Sequence, residues 1–375
     1  MKEIRMVDLK TQYEKIKNEI NTAIESVLDS TAFIKGPQVS QFEGNFAKYL
    51  DIRHVVACAN GTDALQIALM GLGLERGDEV ITPDFTFIST IEVIALLGLK
   101  PVIADVDSRT YNIDPVSVKR KISNKTKAII PVHLFGQCAD MDSIMSIARE
   151  HNLYVIEDTA QAIGAEYHFA SGIMNKAGTM GNCGCTSFFP SKTLACYGDG
   201  GAVVTNDDQL ADKMRVISNH GMKTRYYHDL IGVNSRLDTL QAAILSIKLK
   251  KLDQYNKARQ SVAEFYDREF EGIDKIETPF RSTYTSHVFH QYTIKLKGLD
   301  RESFRQYLQS KGIPAMIYYP VPLHRQKAFA YLNCSDNDFP VTEELCKSVM
   351  SLPIHTELDE EQLTYITETV KEYIS

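Results

Sequence analysis

The chain carries the stretch Ser187-Phe188-Phe189-Pro190-Ser191-Lys192, which is followed by Gly198-Asp199-Gly200-Gly201 and preceded by Glu157-Asp158-Thr159-Ala160-Gln161. A lysine set among aromatic, small and glycine residues is poorly suited to a solvated helix face, and burial readily lowers the pKa of a lysine. Asp158 follows an apolar run that is typical of a buried strand. Such a lysine can form a Schiff base with pyridoxal phosphate (PLP), while a carboxylate keeps the pyridine nitrogen protonated. The stretch therefore predicts an enzyme of amine chemistry that uses Lys192 and Asp158 for catalysis.

Short apolar runs alternate with helical patterns along the first two thirds of the chain. Strands are predicted at 54–58, 79–82, 102–105, 128–132, 153–156 and 202–205. Strands separated by helices indicate an α/β fold with a mostly parallel sheet that helices cover on both faces. An amphipathic helix is predicted at about 10–30, and one long helix at about 237–270. After about residue 250 the pattern changes to α+β. We therefore predict a large cofactor-binding domain at 1–250, with an N-terminal helical arm at about 1–35, and a smaller C-terminal domain at 251–375.

Composition excludes several function classes. The 375 residues include 44% hydrophobic ones and carry a formal net charge of −7, so no global basic field exists to attract nucleic acid or an anionic membrane. The first residues lack the apolar core of a signal peptide, and no apolar run approaches the length of a membrane span. Seven cysteines, an odd number that lies mostly in apolar runs, favour reduced thiols in the cytoplasm. No metal site is expected.

A phosphate seat is predicted at Asn60-Gly61-Thr62-Asp63, between a strand and a helix. Glycine lets the backbone approach a ligand closely, and the helix N-terminus offers free N–H groups to a phosphate. Ser187 could add a hydroxyl to the same phosphate. Phe85 follows another strand, where an aromatic side chain could stack on a planar cofactor ring. A core position is the alternative interpretation of Phe85.

Seven motifs, in this order, resemble the sugar-nucleotide aminotransferases of the DegT/StrS group, which are fold-type I PLP enzymes. The resemblance extends from about residue 6 to the end of the chain. The motifs are Asn60-Gly-Thr-Asp-Ala-Leu, Thr82-Pro-Asp-Phe-Thr-Phe, Pro131-Val-His-Leu-Phe-Gly-Gln, Glu157-Asp-Thr-Ala-Gln, Ser187-Phe-Phe-Pro-Ser-Lys, Gly198-Asp-Gly-Gly and Gly232-Val-Asn-Ser-Arg-Leu-Asp.

This resemblance implies a role for each residue around the cofactor ring. Lys192 would bind PLP covalently and carry the proton during the reaction. Asp158 would pair with the pyridine nitrogen, Gln161 would contact the ring on its hydroxyl side, and Phe85 would stack on the ring.

The resemblance also implies how the cofactor phosphate is held. Gly61, Thr62 and Ser187 would bind the phosphate within one chain. Asn234 would reach the phosphate of the neighbouring subunit, so the resemblance implies a homodimer with shared active sites.

Within the group, the motifs around Lys192 and Arg236 most resemble those of enzymes that act on UDP-2-acetamido-2-deoxy-3-oxo-glucuronate. The amino donor would be an amino acid, expected to be L-glutamate, and the product would enter a surface polysaccharide such as an O-antigen. A uronate needs a cationic partner, and the Arg236 guanidinium is the candidate because it can bind a carboxylate in a fork. Those enzymes are expected to have a His-Tyr pair before a proline, where this chain has Tyr318-Tyr319-Pro320. A dTDP- or UDP-linked 3-keto or 4-keto deoxysugar therefore stays open, with Tyr318 and Tyr319 also predicted to contact the substrate.

Other classes are disfavoured by particular residues. A PLP-dependent sugar dehydratase of this fold is expected to replace the Schiff-base lysine with histidine, whereas Lys192 is present. A non-catalytic regulator or binder on the same fold would not need Asp158, Lys192 and the phosphate seat together. A PLP lyase or desulfurase that acts on small amino acids would be revealed by activity without a nucleotide sugar.

Overall fold

The computed structural model describes residues 2–374 of the chain. Its helices are α1 Leu9–Ser30, α2 Pro37–Leu50, α3 Gly61–Leu72, α4 Ser89–Leu96, α5 Pro115–Lys121, α6 Met141–His151, α7 Asp208–Ile217, α8 Thr239–Leu249, α9 Leu252–Phe270, α10 Arg301–Ser310, α11 Pro340–Ser348 and α12 Glu360–Ile374. Its strands are β1 His54–Cys58, β2 Glu79–Pro83, β3 Lys100–Ala104, β4 Thr126–Ile129, β5 Tyr154–Asp158, β6 Glu166–His168, β7 Met174–Lys176, β8 Cys183–Ser187, β9 Gly201–Thr205, β10 Met222–Thr224, β11 Tyr227–His228, β12 Ile276–Glu277, β13 Tyr292–Leu296 and β14 Val349–Leu352.

A seven-stranded sheet forms the centre of the molecule, in the order β1-β9-β8-β5-β4-β2-β3. The strands from β8 to β3 pair in parallel, whereas β9 runs antiparallel to both β1 and β8. Apolar clusters cover both faces, because α3 and α7 pack on one side while α2 and α8 contribute to the other. The predicted α/β class with a mostly parallel, helix-covered sheet is confirmed.

Acidic and amide side chains determine where several helices begin. Asp8, Asn60, Asp140, Asp207 and Asp300 each accept a hydrogen bond from a backbone N–H of the first helical turn. The backbone N–H groups of the first turn have no hydrogen-bond partner within the helix. A side chain that accepts from one of them therefore typically stabilises the helix by about 1 kcal/mol.

The single long helix expected at 237–270 is instead two helices. The chain turns at Lys250 and Lys251, between α8 and α9. The two helices pack in different cores, because α8 contacts α1 and α2 whereas α9 contacts α12. The apolar periodicity alone did not show this change of packing partner.

A second, smaller sheet of β12, β13 and β14 is antiparallel and carries its own apolar core. Helices α9, α10 and α12 contribute to this core, and so does Ile4 from the start of the chain. The N-terminal segment thus packs on the smaller unit, while α1 packs on α8 of the larger one. The division at residue 250 stays a prediction.

Between residues 2 and 374, none of the helices combines the length and the apolar character that crossing a membrane requires. The parallel strands β2, β4, β5 and β8 all direct their carboxyl ends to one edge of the sheet. In open α/β sheets this edge is where ligands bind.

Candidate active site

A cavity of about 620 Å³ lies at the carboxyl ends of β5 and β8 and beside the N-terminus of α3. It brings together residues that lie far apart in sequence. Of the predicted site residues, the cavity is lined by Gly61, Thr62, Asp158, Gln161, Ser187, Lys192, Tyr318 and Tyr319.

Lys192 lies in the turn that follows β8. Its backbone N–H donates to the Phe189 carbonyl at 2.8 Å, which closes the turn. Phe188 anchors the turn, because its fully buried ring packs edge-on against Phe42 and Phe46 of α2 at centroid distances of 5.5 and 5.7 Å. Burial lowers the pKa of Lys192 to about 8, although the charge of Asp158 acts in the opposite direction. At pH 7 about a tenth of this amine is therefore neutral, far more than for a lysine of ordinary pKa, and the neutral form is the one that a nucleophile requires.

Asp158 is the last residue of β5 and is buried at the cavity wall. Its carboxylate Oδ1 accepts from the Ala160 N–H at 3.0 Å. Burial raises the pKa of Asp158, against the smaller opposing effects of that hydrogen bond and of the Lys192 and His133 charges. Among residues 2–374 this carboxylate has no ion-pair partner, and a buried carboxylate is stabilised as an anion when a cationic N–H is placed against it. A protonated pyridine nitrogen provides such a group.

Glu157, one residue earlier, anchors the end of β5 from inside the fold. It is fully buried, and its carboxylate accepts from the backbone N–H groups of Gly178, Met180 and Gly181 at 2.7–2.8 Å. His133 Nε2 lies 2.9 Å from the same carboxylate. The Ala139 N–H donates to His133 Nδ1, so the ring proton is on Nε2 and points to Glu157. Consecutive strand residues face opposite sides, so this network fixes the strand that presents Asp158.

Gln161 connects the two halves of the chain across the cavity. Its Oε1 accepts from the Phe135 N–H at 2.6 Å, and its Nε2 donates to the Tyr319 hydroxyl at 3.1 Å. Both ends of the amide are therefore occupied, which fixes the orientation of the side chain. Burial raises the pKa of Tyr319, so the tyrosine stays a neutral hydroxyl.

The predicted phosphate seat is formed at the start of α3. Asn60 caps the helix by accepting from the Asp63 N–H at 2.8 Å, which turns the N-terminus of α3 to the cavity. A Cβ on Gly61 would lie 2.6 Å from the Ser187 Cβ. Only glycine fits at this position without a shift of β8, and its absence of a side chain leaves the helix N-terminus accessible to an anion.

The structure places Phe85 away from the cavity, contrary to its expected stacking role. Its side chain is 1% exposed and packs edge-on against Tyr111, Phe135 and Tyr319. Phe87, two residues later, lines the cavity and is 55% exposed. The motif holds two phenylalanines, and the sequence does not show which of them turns into the core.

His290 is a cavity residue that sequence reasoning missed. It lies just before β13, is buried, and its Nδ1 has no hydrogen-bond partner among residues 2–374. Burial, and then the charges of Lys192 and Arg259, hold the pKa of His290 well below its usual value. The imidazole is therefore neutral. His290 lies in a segment whose apolar pattern predicts a strand, and that pattern does not show that the side chain lines the cavity.

Residues 14–371 match the DegT/DnrJ/EryC1/StrS aminotransferase family. This chain belongs to that family. It is a PLP-dependent aminotransferase of nucleotide sugars, which confirms the predicted resemblance, cofactor and enzyme class.

Individual relatives of this aminotransferase cover almost its whole length. It is 46% identical over 356 residues to the UDP-2-acetamido-2-deoxy-3-oxo-D-glucuronate aminotransferase of Pseudomonas aeruginosa, covering 95% of this chain and 96% of that protein. It is also 46% identical over 372 residues to a protein of Geobacillus stearothermophilus named as a pleiotropic regulatory protein, covering 99% and 98%. Among solved structures, S. venezuelae DesV in complex with a ketimine intermediate superposes with a TM-score of 0.95 at 38% identity, covering 100% and 99%.

The donor set of the aminotransferase cavity fits PLP. The fit rests on a lysine with a lowered pKa, a buried carboxylate, and a helix N-terminus that a glycine leaves accessible, all of which line one cavity. They match the aldehyde, the pyridine nitrogen and the phosphate of the cofactor respectively.

Two predicted residues lie apart from this cavity. Asn234 is exposed, and Arg236 lines a separate cavity of about 230 Å³. Neither is among the residues that line the Lys192 cavity of the same chain.

Proposed function

We propose that this aminotransferase transfers an amino group from L-glutamate to the C3 keto group of UDP-2-acetamido-2-deoxy-3-oxo-glucuronate, in the biosynthesis of a surface polysaccharide in the cytoplasm. The transfer chemistry rests on one observation: Lys192, with a pKa of about 8, shares a cavity with buried Asp158. The choice of sugar is supported by the 46% identity with the Pseudomonas aeruginosa enzyme over almost the whole chain.

Each cavity residue has a distinct task in this proposal. PLP, when bound, supplies an electron sink for the carbon that loses its proton. Lys192 would hold the cofactor through its Nζ and, as a free amine, would carry the proton that leaves the substrate carbon. Asp158 keeps the pyridine nitrogen protonated, Gln161 holds the ring from its hydroxyl side, and Phe87, rather than Phe85, stacks on the ring face.

The charge of the cavity supports a homodimer with shared sites. Three carboxylates line it, those of Asp63, Asp158 and Asp199, against the single cation Lys192. Both proposed substrates are anions, because glutamate carries carboxylates and the sugar carries a diphosphate. One chain alone provides a poor electrostatic match, and cations from a second copy would correct it.

The segment that includes β10 and β11 is suited to provide that contact. Tyr226, Tyr227 and Ile231 on this hairpin are 76%, 69% and 88% exposed. Large apolar side chains clustered on a surface indicate an interaction site. The same segment carries Lys223 and Arg225 and leads to Asn234, which we propose binds the cofactor phosphate of the neighbouring subunit.

A deoxysugar acceptor is the second candidate. Tyr318 lies in the cavity at the position where a histidine is expected in enzymes specific for the uronate. A tyrosine can donate a hydrogen bond to a neutral sugar hydroxyl but adds no positive charge for a carboxylate. A dTDP- or UDP-linked 3-keto or 4-keto deoxysugar would suit that change.

The visible absorption spectrum with PLP tests the first half-reaction. The wild-type protein should show a cofactor band that L-glutamate converts to the pyridoxamine form. Lys192→Ala should lose this band, whereas Lys125→Ala, which removes an exposed lysine of a distant turn, should keep it. A band that persists in Lys192→Ala would reject the assignment. The pyridoxamine form can then be offered the 3-keto uronate and keto deoxysugars, and the sugar that restores the original band fastest identifies the acceptor.

A further inference from the structure

The cavity of about 230 Å³ that contains Arg236 has the opposite charge to the Lys192 cavity. It lies between α2 and α7 and is lined by three cations, Lys35, Arg215 and Arg236, but only one carboxylate, that of Glu43. We name it the Lys35–Arg236 cavity. A small concave site with excess positive charge favours an anionic ligand.

Two of these four charges already neutralise each other. Arg215 Nη1 lies 3.1 and 3.2 Å from the Glu43 carboxylate oxygens, and Arg215 Nη2 donates to the Val55 carbonyl at 2.6 Å. Glu43 also accepts from the Ala57 N–H at 2.8 Å. This pair forms the fixed wall of the cavity, and its charges are already paired.

Lys35 and Arg236 are the two remaining cations. Within residues 2–374, neither side chain makes a hydrogen bond or an ion pair. The Lys35 side chain is exposed in the single chain, and partial desolvation lowers its pKa, with the nearby charge of Arg236 lowering it further and Glu43 partly opposing this. Two like charges beside one cavity repel each other, and an anion between them would convert this repulsion into attraction.

Backbone pairing brings these residues together across about 200 positions of sequence. Ile34 pairs with Asp238 in an antiparallel bridge, and the Thr239 N–H donates to the Phe33 carbonyl at 2.9 Å. The Gly36 N–H donates to Thr239 Oγ1 at 3.0 Å. The connection between α1 and α2 is thereby held against the segment that leads into α8, so the backbone at Lys35 is fixed beside the cavity, while its side chain is exposed.

Arg236 faces the same side of its segment as Asn234. Ser235, between them, is fully buried and accepts from the Ala59 N–H at 3.0 Å, while Asn234 is exposed and Arg236 half-buried. In extended backbone, residues two apart point to the same side. If Asn234 reaches the neighbouring subunit, the Lys35–Arg236 cavity faces that subunit as well.

We propose that Lys35 joins Arg236 in a two-cation subsite that binds the sugar carboxylate of a substrate held in the neighbouring subunit. Lys35 thereby acts as a specificity-determining residue for acidic sugars. The Arg236 guanidinium binds the carboxylate in a fork, and the Lys35 ammonium adds a point charge beside it. This subsite provides the positive charge that the Lys192 cavity, with Tyr318 in place of histidine, lacks. The inference rests on the proposed function and on the homodimer.

Binding of three stable ligands to the PLP-loaded protein separates the anionic groups of the substrate. Uridine diphosphate carries the diphosphate alone, UDP-N-acetylglucosamine adds a neutral sugar, and UDP-2-acetamido-2-deoxy-glucuronate adds the carboxylate. Calorimetry gives the Kd of each for wild type, for Lys35→Met and for Lys48→Met, which removes an exposed lysine of α2. Lys35→Met should weaken the uronate about tenfold and leave the other two ligands within about twofold, because the lost contact is one charge-assisted hydrogen bond. Lys48→Met should change none of them.

Each other outcome is informative. Equal weakening of all three ligands would overturn the subsite, because Lys35 would then contact the diphosphate. An unchanged uronate Kd in Lys35→Met, despite a wild-type preference for the uronate, would overturn it while leaving the proposed sugar intact. A wild type that binds the uronate no better than UDP-N-acetylglucosamine would contradict the proposed sugar and remove the basis of the subsite. Conversion of the wild-type spectrum by glutamate is measured separately. Failure of the amine chemistry is therefore distinguishable from failure of the subsite and from failure of the proposed sugar.

Discussion

The Lys192 cavity and the Lys35–Arg236 cavity have opposite electrostatic characters. The first has three carboxylates and one lysine, and the second has three cations and one carboxylate. In the first cavity, Lys192 is suited to amine chemistry and Asp158 to pairing with the pyridine nitrogen. In the second, the unpaired cations suit an anion that the first cavity would repel. The difference supports our proposal that one chain separates catalysis from anion recognition and that pairing two copies combines them.

Mixing of subunits that carry different substitutions tests most directly whether the two cavities of different copies act together. Lys192→Ala disables its own cavity, and Asn234→Asp places a carboxylate where we expect the neighbour's cofactor phosphate, so each homodimer should lose at least about a thousandfold in turnover. A dissociated and reassociated equimolar mixture should regain activity. Half of the dimers would be mixed and each would hold one intact site, so about a quarter of wild-type turnover is expected.

The matched control for mixing is a combination of Lys192→Ala with Asp158→Asn. Both substitutions affect the same cavity, but on different chains of the mixed dimer, so every site in the mixture carries a defect. This mixture should stay inactive. Recovery in the control, or no recovery in the test mixture, would show that the sites are not shared through Asn234.

Lys248 shows what burial does to a lysine outside either cavity. Its side chain is 1% exposed, its Nζ has no hydrogen-bond partner among the described residues, and it lies 4.4 Å from the centroid of the Tyr197 ring. Burial lowers its pKa to about 8, as it does for Lys192. The two values agree although only Lys192 has Asp158 nearby, so burial dominates in both.

Lys248→Met should stabilise the fold at pH 7 by about 1–3 kcal/mol, because an uncompensated buried charge is removed. The folded-state pKa lies below the unfolded one, so unfolding takes up a proton between these values. The destabilisation by the buried charge is full below about pH 8, and it diminishes as the pH rises to 10.5, the ordinary pKa of a lysine. The difference in the free energy of unfolding between Lys248→Met and wild type, measured with urea, should therefore decrease between about pH 8 and 10.5. Lys250→Met, at an exposed position of the same turn, should change little at any pH, and a constant Lys248→Met gain would contradict the explanation.

Gly61→Ala tests the phosphate side of the Lys192 cavity. The added Cβ would meet Ser187 Cβ at 2.6 Å, and the resulting strain of about 1–3 kcal/mol should weaken PLP binding by about tenfold. Gly44→Ala is the matched control, because a Cβ there meets nothing within 4 Å. Titration with PLP, followed by the visible band, gives both affinities. Equal PLP affinities for the two variants would show that the absence of a side chain at Gly61 does not determine phosphate binding.

Sequence predicted the central sheet well because buried parallel strands and their helices have strong periodic signals. The strand 54–58 and the helix 141–151 are found where expected. The antiparallel direction of β9 was not predictable, since a short apolar strand reads the same in either direction. The sequence also does not show the turn at Lys250, because apolar residues continue on both sides of it and the two helices differ in their packing partners.

The site was predictable where motifs carry chemistry, and less so where tertiary contacts choose between neighbours. Lys192 and Asp158 line one cavity as expected. The choice between Phe85 and Phe87 depends on which ring enters the aromatic cluster, and His290 becomes a cavity residue only through the approach of the C-terminal half. Lys35 carried no local signal, since its significance comes from the bridge between Ile34 and Asp238.

The bridge at Ile34 has a consequence for how such an enzyme can diversify. It joins a short connection between two helices to the segment after the hairpin, without involving β5 or β8. Under our proposal, a substitution in that connection alters which sugar is accepted, while the lysine, the carboxylate and the helix N-terminus that serve the cofactor stay in place. Under our proposal, this connection is one part of the sequence in which substrate choice can evolve without a change in the residues that carry the amine chemistry.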